Sequence, residues 1–414
     1  MSGKTFFTVL LVLSWLCATA QENIPLGDWR IHVSYNRIRS VSLSHDRIFA
    51  ASSNGVAVFD KSDKSTVTFN KLNLLSRSGI NKISYDAASN QLLIAYQDGT
   101  FDVLRESEVR NFDPSRNTVL TGSRQIHDIM FHDGIAYLST DYGVLLFDLE
   151  QREIKETWRD LAADGSTMKI YSSVFHNDSI FLATEKGVLA GNLADNLLDF
   201  NKWKRMSVGA LAAEVKSVTT FNNLLYAVVN GNGIFLYSNN AWPKQAYLDG
   251  VEVSSITSSA NHLIIAENQT VWSIDKTGLI TSVSGGLITV PLDAAEDESG
   301  HLWIGDEFNG LVTDHSGAFE SIVPNGPASE ISFRLSYSGN KMYSVGGGFA
   351  GDAPLMRQGF VSYFENGLWS SSAETIKDLT DISFSDDDSI FLSSFIRILF
   401  ISSKGDFVTV KISV

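Results

Sequence analysis

Short apolar runs recur along the chain, each apolar at consecutive positions and each bounded by polar turns. Read with the turn before them, they are "SHDRIFAASSNG", "AASNQLLIAYQDG", "FHDGIAYLSTDYG", "FHNDSIFLATEKG", "FNNLLYAVVNGNG", "SANHLIIAENQ", "ESGHLWIGDEFNG", "YSGNKMYSVGG" and "SDDDSIFLSS". Runs such as "LLIAY" and "LLYAVV" are too short for a buried helix and rich in β-branched or aromatic residues, so they predict strands covered on both faces. The glycines that close the turn, Gly55, Gly99, Gly143 and Gly187, stand 44 residues apart, Gly233 follows 46 later, and Gly310 resumes the series. A strand-rich period near 44 is that of a four-stranded propeller blade. The Asn, Asp, Gly and Ser of the turns supply positive φ and local hydrogen bonds.

The pattern therefore predicts an all-β protein, a β-propeller of four-stranded blades. Units begin near Ile38, Ile80, Ile126, Ile170, Val215, Val253, Pro291, Ile331 and Leu379. One propeller holds four to eight blades. Seven units give a seven-bladed propeller over 21–325, and the last two, in 326–414, are the incomplete beginning of a second. "VPNGPAS" (323–329) marks the boundary with two of the seven prolines. A single ring of eight or nine units is the alternative. After "SIFLSS" the expected turn is missing, which points to an irregular last blade or to a chain that stops short, with truncation favoured.

Residues 1–20 follow another logic. Lys4 precedes the apolar run "FFTVLLVLSWL", and Ala18-Thr19-Ala20 is a small-x-small cleavage site ahead of Gln21, the pattern of a signal peptide. Cys17 follows Ser14-Trp15-Leu16, not the small residues that precede a lipidated cysteine. Cleavage removes the only cysteine, excluding disulfides from the mature chain. It also removes one lysine, taking the net charge from -15 to -16. So acidic a chain is a poor binder of nucleic acid. No later segment reads as a transmembrane helix.

Candidate chemistry is sparse. The eight histidines form no HxH or HExxH pair. His45, His132, His176, His262 and His301 share one turn position, which other units fill with Asn, Ser or Lys, so they predict turn residues and no metal. Asp386, Asp387 and Asp388, and the acids of "DAAEDESG" (293–300), lack the EF-hand pattern and read as solvated turn acids. "SVGGGFAGD" (344–352) lacks the Lys-Ser/Thr of a phosphate loop and reads as a wide turn. There is no G-x-S-x-G and no specific carboxylate pair, so no catalytic residue and no cofactor is expected. Trp158, Trp203 and Trp242 lie near unit ends and predict core between blades. Positions at the turn between second and third strands are expected at one mouth of the channel: Tyr96, Asp98, Asp141, Tyr142, Asn230, Asn232, Glu307 and Asn309.

Two resemblances follow from quoted residues. "ESGHLWIGDEFNGLVTDHSG" (298–317) with Phe319 resembles the two-component-regulator propeller repeat in Ser299-Gly300, Leu302-Trp303-Ile304-Gly305, Gly310-Leu311 and Gly317-x-Phe319. Asp306 replaces the usual Thr there. "LGDWRIHVSYNRI" (26–38) and "GPASEISFRLSYSGNKMYSVGGG" (326–348) resemble the N-terminal propeller region of PorZ-type proteins of the type IX secretion system of Bacteroidetes. That resemblance implies a non-enzymatic surface or periplasmic component, not itself transmembrane. It would help a sortase attach cargo to anionic lipopolysaccharide, with the sortase, other secretion components and the glycolipid as partners. The acidic balance is in tension with an anionic glycan. The first resemblance keeps open a periplasmic oligosaccharide-sensing propeller of a hybrid two-component regulator. A propeller lyase is the third possibility.

Overall fold

The computed structural model describes residues 29–115, 122–207, 209–246, 248, 250, 252–385, 389–395, 399–403 and 406–410. Ala18, Ala20 and Gln21 of the expected cleavage site, and Asp386, Asp387 and Asp388, lie outside them. The described residues form strands in antiparallel sheets, with two 3₁₀ turns at Phe200–Lys202 and Gly209–Ala212 and no α-helix. They divide into two compact units, 33–330 and a second made of the N-terminal residues through His32 with 331–414.

Residues 33–330 hold seven sheets. Blade one spans 40–70, blade two 80–112, blade three 126–159, blade four 170–206, blade five 215–236, blade six 253–284 and blade seven 291–322. Six have four strands in chain order, and blade five has three. In blade five Gln245 N–H donates to Ile234 O and Leu236 N–H to Pro243 O, so a short segment covers the open edge. Each innermost strand touches the next around the ring, and the innermost strand of blade seven touches that of blade one.

Burial follows strand position. The second strands, such as Gln91–Tyr96, are buried throughout, which explains why they are apolar at consecutive positions. Outermost strands such as Thr66–Asn70 are largely exposed. No blade owns a core. Seven hydrophobic clusters each join two consecutive blades instead. The one joining blades seven and one contains Val33, Tyr35 and Ile38 beside Trp303 and Leu311. The entering segment lies along blade seven: Ile38 N–H donates to Asp306 O (3.1 Å) and Gly310 N–H to Asn36 O (2.8 Å).

The innermost strands share no backbone ladder, so side chains bridge them. Ile83 N–H donates to Ser40 Oγ (3.2 Å), Tyr85 N–H to Ser42 Oγ (2.9 Å) and Val218 N–H to Ser172 Oγ (2.8 Å). Thr257 Oγ1–H donates to Ala294 O (2.7 Å). At the seam between the last and first blades, Val41 N–H donates to Asp293 Oδ2 (3.0 Å). The acids of "DAAEDESG" reach both neighbouring blades, with Glu298 and its partner staying largely exposed. Glu296 accepts from His262 and Ser259 of blade six, Asp297 pairs with Lys61 of blade one, and Glu298 pairs with His45 of blade one. Trp158 and Trp203 pack in the core between blades three and four, ring centroids 5.7 Å apart.

The second unit repeats the blade grammar. One sheet orders Arg334–Ser338, Lys341–Gly346, Gln358–Glu365 and Leu368–Lys377, and another Leu379–Phe384, Ile390–Ser394, Leu399–Ser403 and Asp406–Val410. The last repeat is thus four-stranded, like every blade but the fifth, and not irregular, the less favoured of the two readings its sequence left open. The glycine-rich stretch 344–352 ends one strand and opens a small hairpin, Phe349–Ala350 with Ala353–Pro354. In this unit Trp369 Nε1–H donates to His32 Nδ1 (2.9 Å).

The periodic glycines have a steric cause. Gly143 has φ +134°, and a Cβ there would lie 1.9 Å from Trp158 O of the neighbouring strand. Gly134 also has positive φ, but a Cβ on it meets nothing within 4 Å. Gly143→Ala should therefore destabilise the protein by at least about 3 kcal/mol, because it adds a backbone clash to conformational strain. Gly134→Ala should cost only the strain, about 1–2 kcal/mol. Urea unfolding of both variants measures the difference, and equal costs would contradict the steric account.

Candidate functional site: the channel and its mouth

One irregularity repeats around the ring. Near the start of the innermost strand, the pairing skips one residue in six blades: Asn81, His127, Tyr171, Lys216, Ser254 and Leu292. Thr380 of the second unit is skipped in the same way. A bulge leaves its residue unpaired and re-aims the side chain. His127, Tyr171, Lys216 and Ser254 consequently line the central channel, a cavity of about 430 Å³.

A second polar set sits beside the bulges. The residue that follows the second strand donates its N–H to the carbonyl just before the innermost strand. This holds for Gln97 to Gly79, Asp141 to Gln125, Glu185 to Lys169, Asn230 to Glu214 and Glu307 to Val290. Asp141, Asn230 and Glu307 were expected from the sequence, whereas Gln97 and Glu185 were missed, although they occupy the same repeat position. Asp98, Asn232 and Asn309 stand one or two residues further along the turn. Asp98 is exposed and faces Arg77 (3.7 Å). Asn232 bonds Asn230 O. Asn309 bonds Leu287 O and Asp306.

Tyr96 and Tyr142 correct the expectation of a mouth position. Tyr96 is fully buried, and its hydroxyl donates to Asp102 (2.6 Å). Burial and that carboxylate push its pKa far upward. Tyr142 is buried, and burial pushes its phenol up to about 12. Tyr96 ends a buried strand and packs in the core between blades one and two, and Tyr142 is buried in the turn that follows its strand.

The residues brought together span blades three to five. His127 Nε2 lies 2.8 Å from Asp141 Oδ1, and Lys169 Nζ lies 3.6 Å from the same oxygen. The His127 ring meets Tyr171 at 5.2 Å, and Lys216 Nζ stands 5.1 Å over the Tyr171 ring. Lys216 pairs with Glu214 (3.0 Å), which also accepts from Asn230 (2.9 Å). Burial and the Glu214 carboxylate push the Tyr171 phenol well up. Elsewhere at this end, Arg37 pairs with Glu307 (2.7 Å), and Arg39 with Glu330 (2.9 Å). Several cations here face acids, so this part of the mouth presents alternating charge.

Deeper in the channel, Lys82 bridges Asp293 (3.6 Å) and Asp128 (4.0 Å), joining blades two, three and seven. Burial works against the Lys82 charge, yet the two carboxylates outweigh it and raise its pKa. Burial raises the pKa of Asp128, with Lys82 pulling the other way. Among the described residues, no three His, Cys, Asp or Glu side chains converge as a metal site would require. The five turn histidines have separate neighbours: His132 stacks on Phe175, His301 faces Asp314, and His176 meets Phe181. His45 joins blade one to blade seven, and His262 joins blade six to blade seven.

This ring of bladed sheets around a polar channel defines a β-propeller. The family model of the PorZ N-terminal β-propeller domain, of the type IX secretion system, matches residues 48–204, and over that span the PorZ-type resemblance read from the sequence is borne out. Among solved structures the chain is similar to PorZ of Porphyromonas gingivalis, described as an essential bacterial surface component of the type IX secretion system. The TM-score is 0.75 at 18% identity, covering 92% of this chain and 53% of that one. It is also similar to the extracellular domain of a protein described as a hybrid two-component system of B. thetaiotaomicron (TM-score 0.56, 14% identity, 92% of this chain and 54% of that one). A third is the WD40 propeller domain of Doa1 (TM-score 0.53, 13% identity, 69% and 93%). The chain spans about half the length of the first two. No curated protein matches it. Among the described residues, no helix is long and apolar enough to cross a membrane.

Two outcomes test the electrostatics. Lys82→Met leaves two carboxylates facing each other and should cost about 2–3 kcal/mol, while Asp128→Asn leaves the Lys82–Asp293 pair intact and should change stability by less than about 1 kcal/mol. The reverse order in urea unfolding would refute the triad. Asp141 is a different case. Burial opposes its charge, but hydrogen bonds from Ser123 and His127, with Lys169 nearby, hold its pKa below the usual 3.8. A depressed carboxylate stabilises the fold above its unfolded pKa and loses that contribution as pH falls through the folded one. The stability gap between wild type and Asp141→Asn should be full at pH 7 and close below 3.8; a gap that persists at lower pH contradicts this assignment.

Proposed function

We propose that the chain is an exported, non-enzymatic β-propeller component of type IX secretion, working at the cell surface. Its role is that of an adaptor, helping a sortase attach cargo to anionic lipopolysaccharide. The match of residues 48–204 to the PorZ propeller family carries this reading. That span runs from the second strand of blade one into the fourth strand of blade four, and so includes the bulges at Asn81, His127 and Tyr171. The similarity to PorZ supports the same fold across most of the chain. In this reading residues 1–20 are a signal peptide, 21–325 hold the first propeller, and the later sheets begin a second. The candidate ligand-contacting residues are Asp141, Asn230 and Glu307 with the bulge residues beside them.

The charge balance shapes the proposal. A chain of net charge -15 offers no broad attraction to an anionic glycan. Contact with such a glycan must be local or shared with a partner. The similarity to the extracellular domain of a hybrid two-component system favours a second reading, a periplasmic sensor of oligosaccharides.

Deleting the gene in its host tests both. The adaptor reading expects type IX cargo to lose surface attachment, with recovery when the whole coding sequence is restored. Normal attachment in the deletion strain, together with lost transcriptional response to an added oligosaccharide, would replace the adaptor by the sensor.

A further inference from the structure

Blade four departs from the repeat in its outermost strand. Arg205 stands opposite Leu189, the second residue after the turn glycine Gly187. The same position holds Thr68 in blade one, Phe112 in blade two, Thr157 in blade three and Ser321 in blade seven. Directly opposed residues of antiparallel strands share a face, and Leu189 belongs to the core between blades three and four. Arg205 therefore lies on that side, towards the connection from blade three. There it lines a cavity of about 420 Å³ with Lys186 and Asp164, together with apolar Ala162, Met168 and Leu189. That size falls within the ~300–1,000 Å³ of small-molecule sites. Arg205 is half-buried, and its guanidinium donates to Leu161 O (3.0 Å), Trp203 O (3.1 Å) and Phe200 O (3.3 Å). These carbonyls fix the side chain without neutralising its charge.

Charge balance sets this cavity apart. Among the described residues Arg205 and Lys186 make no ion pair, whereas Lys169, Lys202 and Lys216 each do. The acid on the wall, Asp164, turns its Oδ1 to Ser166 N–H (3.0 Å) and Oγ–H (2.6 Å) within its own turn. Two cations against one acid leave the wall with one net positive charge, in a chain whose total is -15. A single positive charge matches a monoanion better than a phosphate dianion. An arginine already held in place loses little freedom on meeting a carboxylate. Ala162, Met168 and Leu189 add apolar surface for a hydrocarbon stem. We propose that this cavity binds a carboxylate carried on a short aliphatic stem, with Arg205 and Lys186 meeting the carboxylate. A free aliphatic acid and the C-terminus of a peptide ending in an aliphatic residue both carry that group. The cavity shares no lining residue with the central channel, and the site stands independently of the secretion role.

Saturation-transfer NMR titrations on the whole chain test it. The probes are hexanoate as the free acid, N-acetyl-leucine as the chain terminus and N-acetyl-leucinamide as its neutral counterpart. At least one of the two acids should bind with a Kd of about 1 mM or tighter, and the amide at least about tenfold more weakly. The tighter of the two acids identifies the source. Inorganic phosphate at equal concentration should displace neither. Lys186→Gln removes an exposed cation that makes no ion pair, so its Tm should stay within about 2 °C while binding weakens about threefold. Arg205→Gln should weaken binding at least about tenfold. If that variant does not fold, Lys186→Glu, which reverses the sign of the wall, provides the readout with a loss of at least about tenfold. No saturable transfer to either acid overturns the proposal. So does equal affinity for the amide, displacement by phosphate, or undiminished binding in the folded variants.

Discussion

A propeller blade has no interior of its own, and everything in residues 33–330 depends on that constraint. Each of the seven hydrophobic clusters belongs to two blades at once, so a blade is stable only between neighbours. An open row would leave two faces in water. The seam between blades seven and one is therefore the decisive contact. It is made with apolar residues of the entering segment, Val33, Tyr35 and Ile38, with two backbone hydrogen bonds, and with Asp293 reaching the backbone of blade one. Three consecutive turn acids then tie blade seven to blades six and one on the other side of the sheet.

Mouth chemistry and packing are separated by the repeated bulge. The bulged residue leaves the ladder, so its identity is free of the pairing rules that govern the rest of the strand. Asn, His, Tyr, Lys, Ser and Leu all occupy it without changing the blade. Function can vary at this ring of positions while the cores stay fixed. The hydroxyl bridges between innermost strands follow the same economy. Adjacent blades diverge too far for a backbone ladder, so Ser40, Ser42, Ser172 and Thr257 make the connection with side chains.

The fold was legible because its cause is periodic. Ile80, Ile126, Ile170, Val215, Val253, Pro291 and Leu379, read as unit starts, each begin an innermost strand. Ile38 and Ile331 precede theirs by a few residues, because both follow irregular entering segments. The site was less legible. Alternation along a strand reveals which side chains point together, but a bulge adds one residue and breaks that count. His127, Tyr171 and Lys216 therefore gave no signal as channel residues. Asp98, Asn232 and Asn309 were placed one or two residues too far along the turn, while Asp141, Asn230 and Glu307 were placed at the right position. The hydrogen bond to the innermost strand is made immediately after the second strand, by Gln97, Asp141 and Glu185. Tyr96 looked like an aromatic ligand of a mouth, yet its bulk fills the space between blades one and two.

The entering segment on blade seven has a mechanical consequence. A pull transmitted along the chain toward the N-terminus acts on 33–38, which meets blade seven through few backbone bonds. Such a pull loads that segment first, one bond after another, and leaves Asp293 and the turn acids as the remaining ties between blades seven and one. A pull at any internal turn must instead shear whole sheets past one another. The propeller is thus an anisotropic object, weak in one direction and stiff in the others, and tethering it by its N-terminal end would place tension on the one junction that closes it.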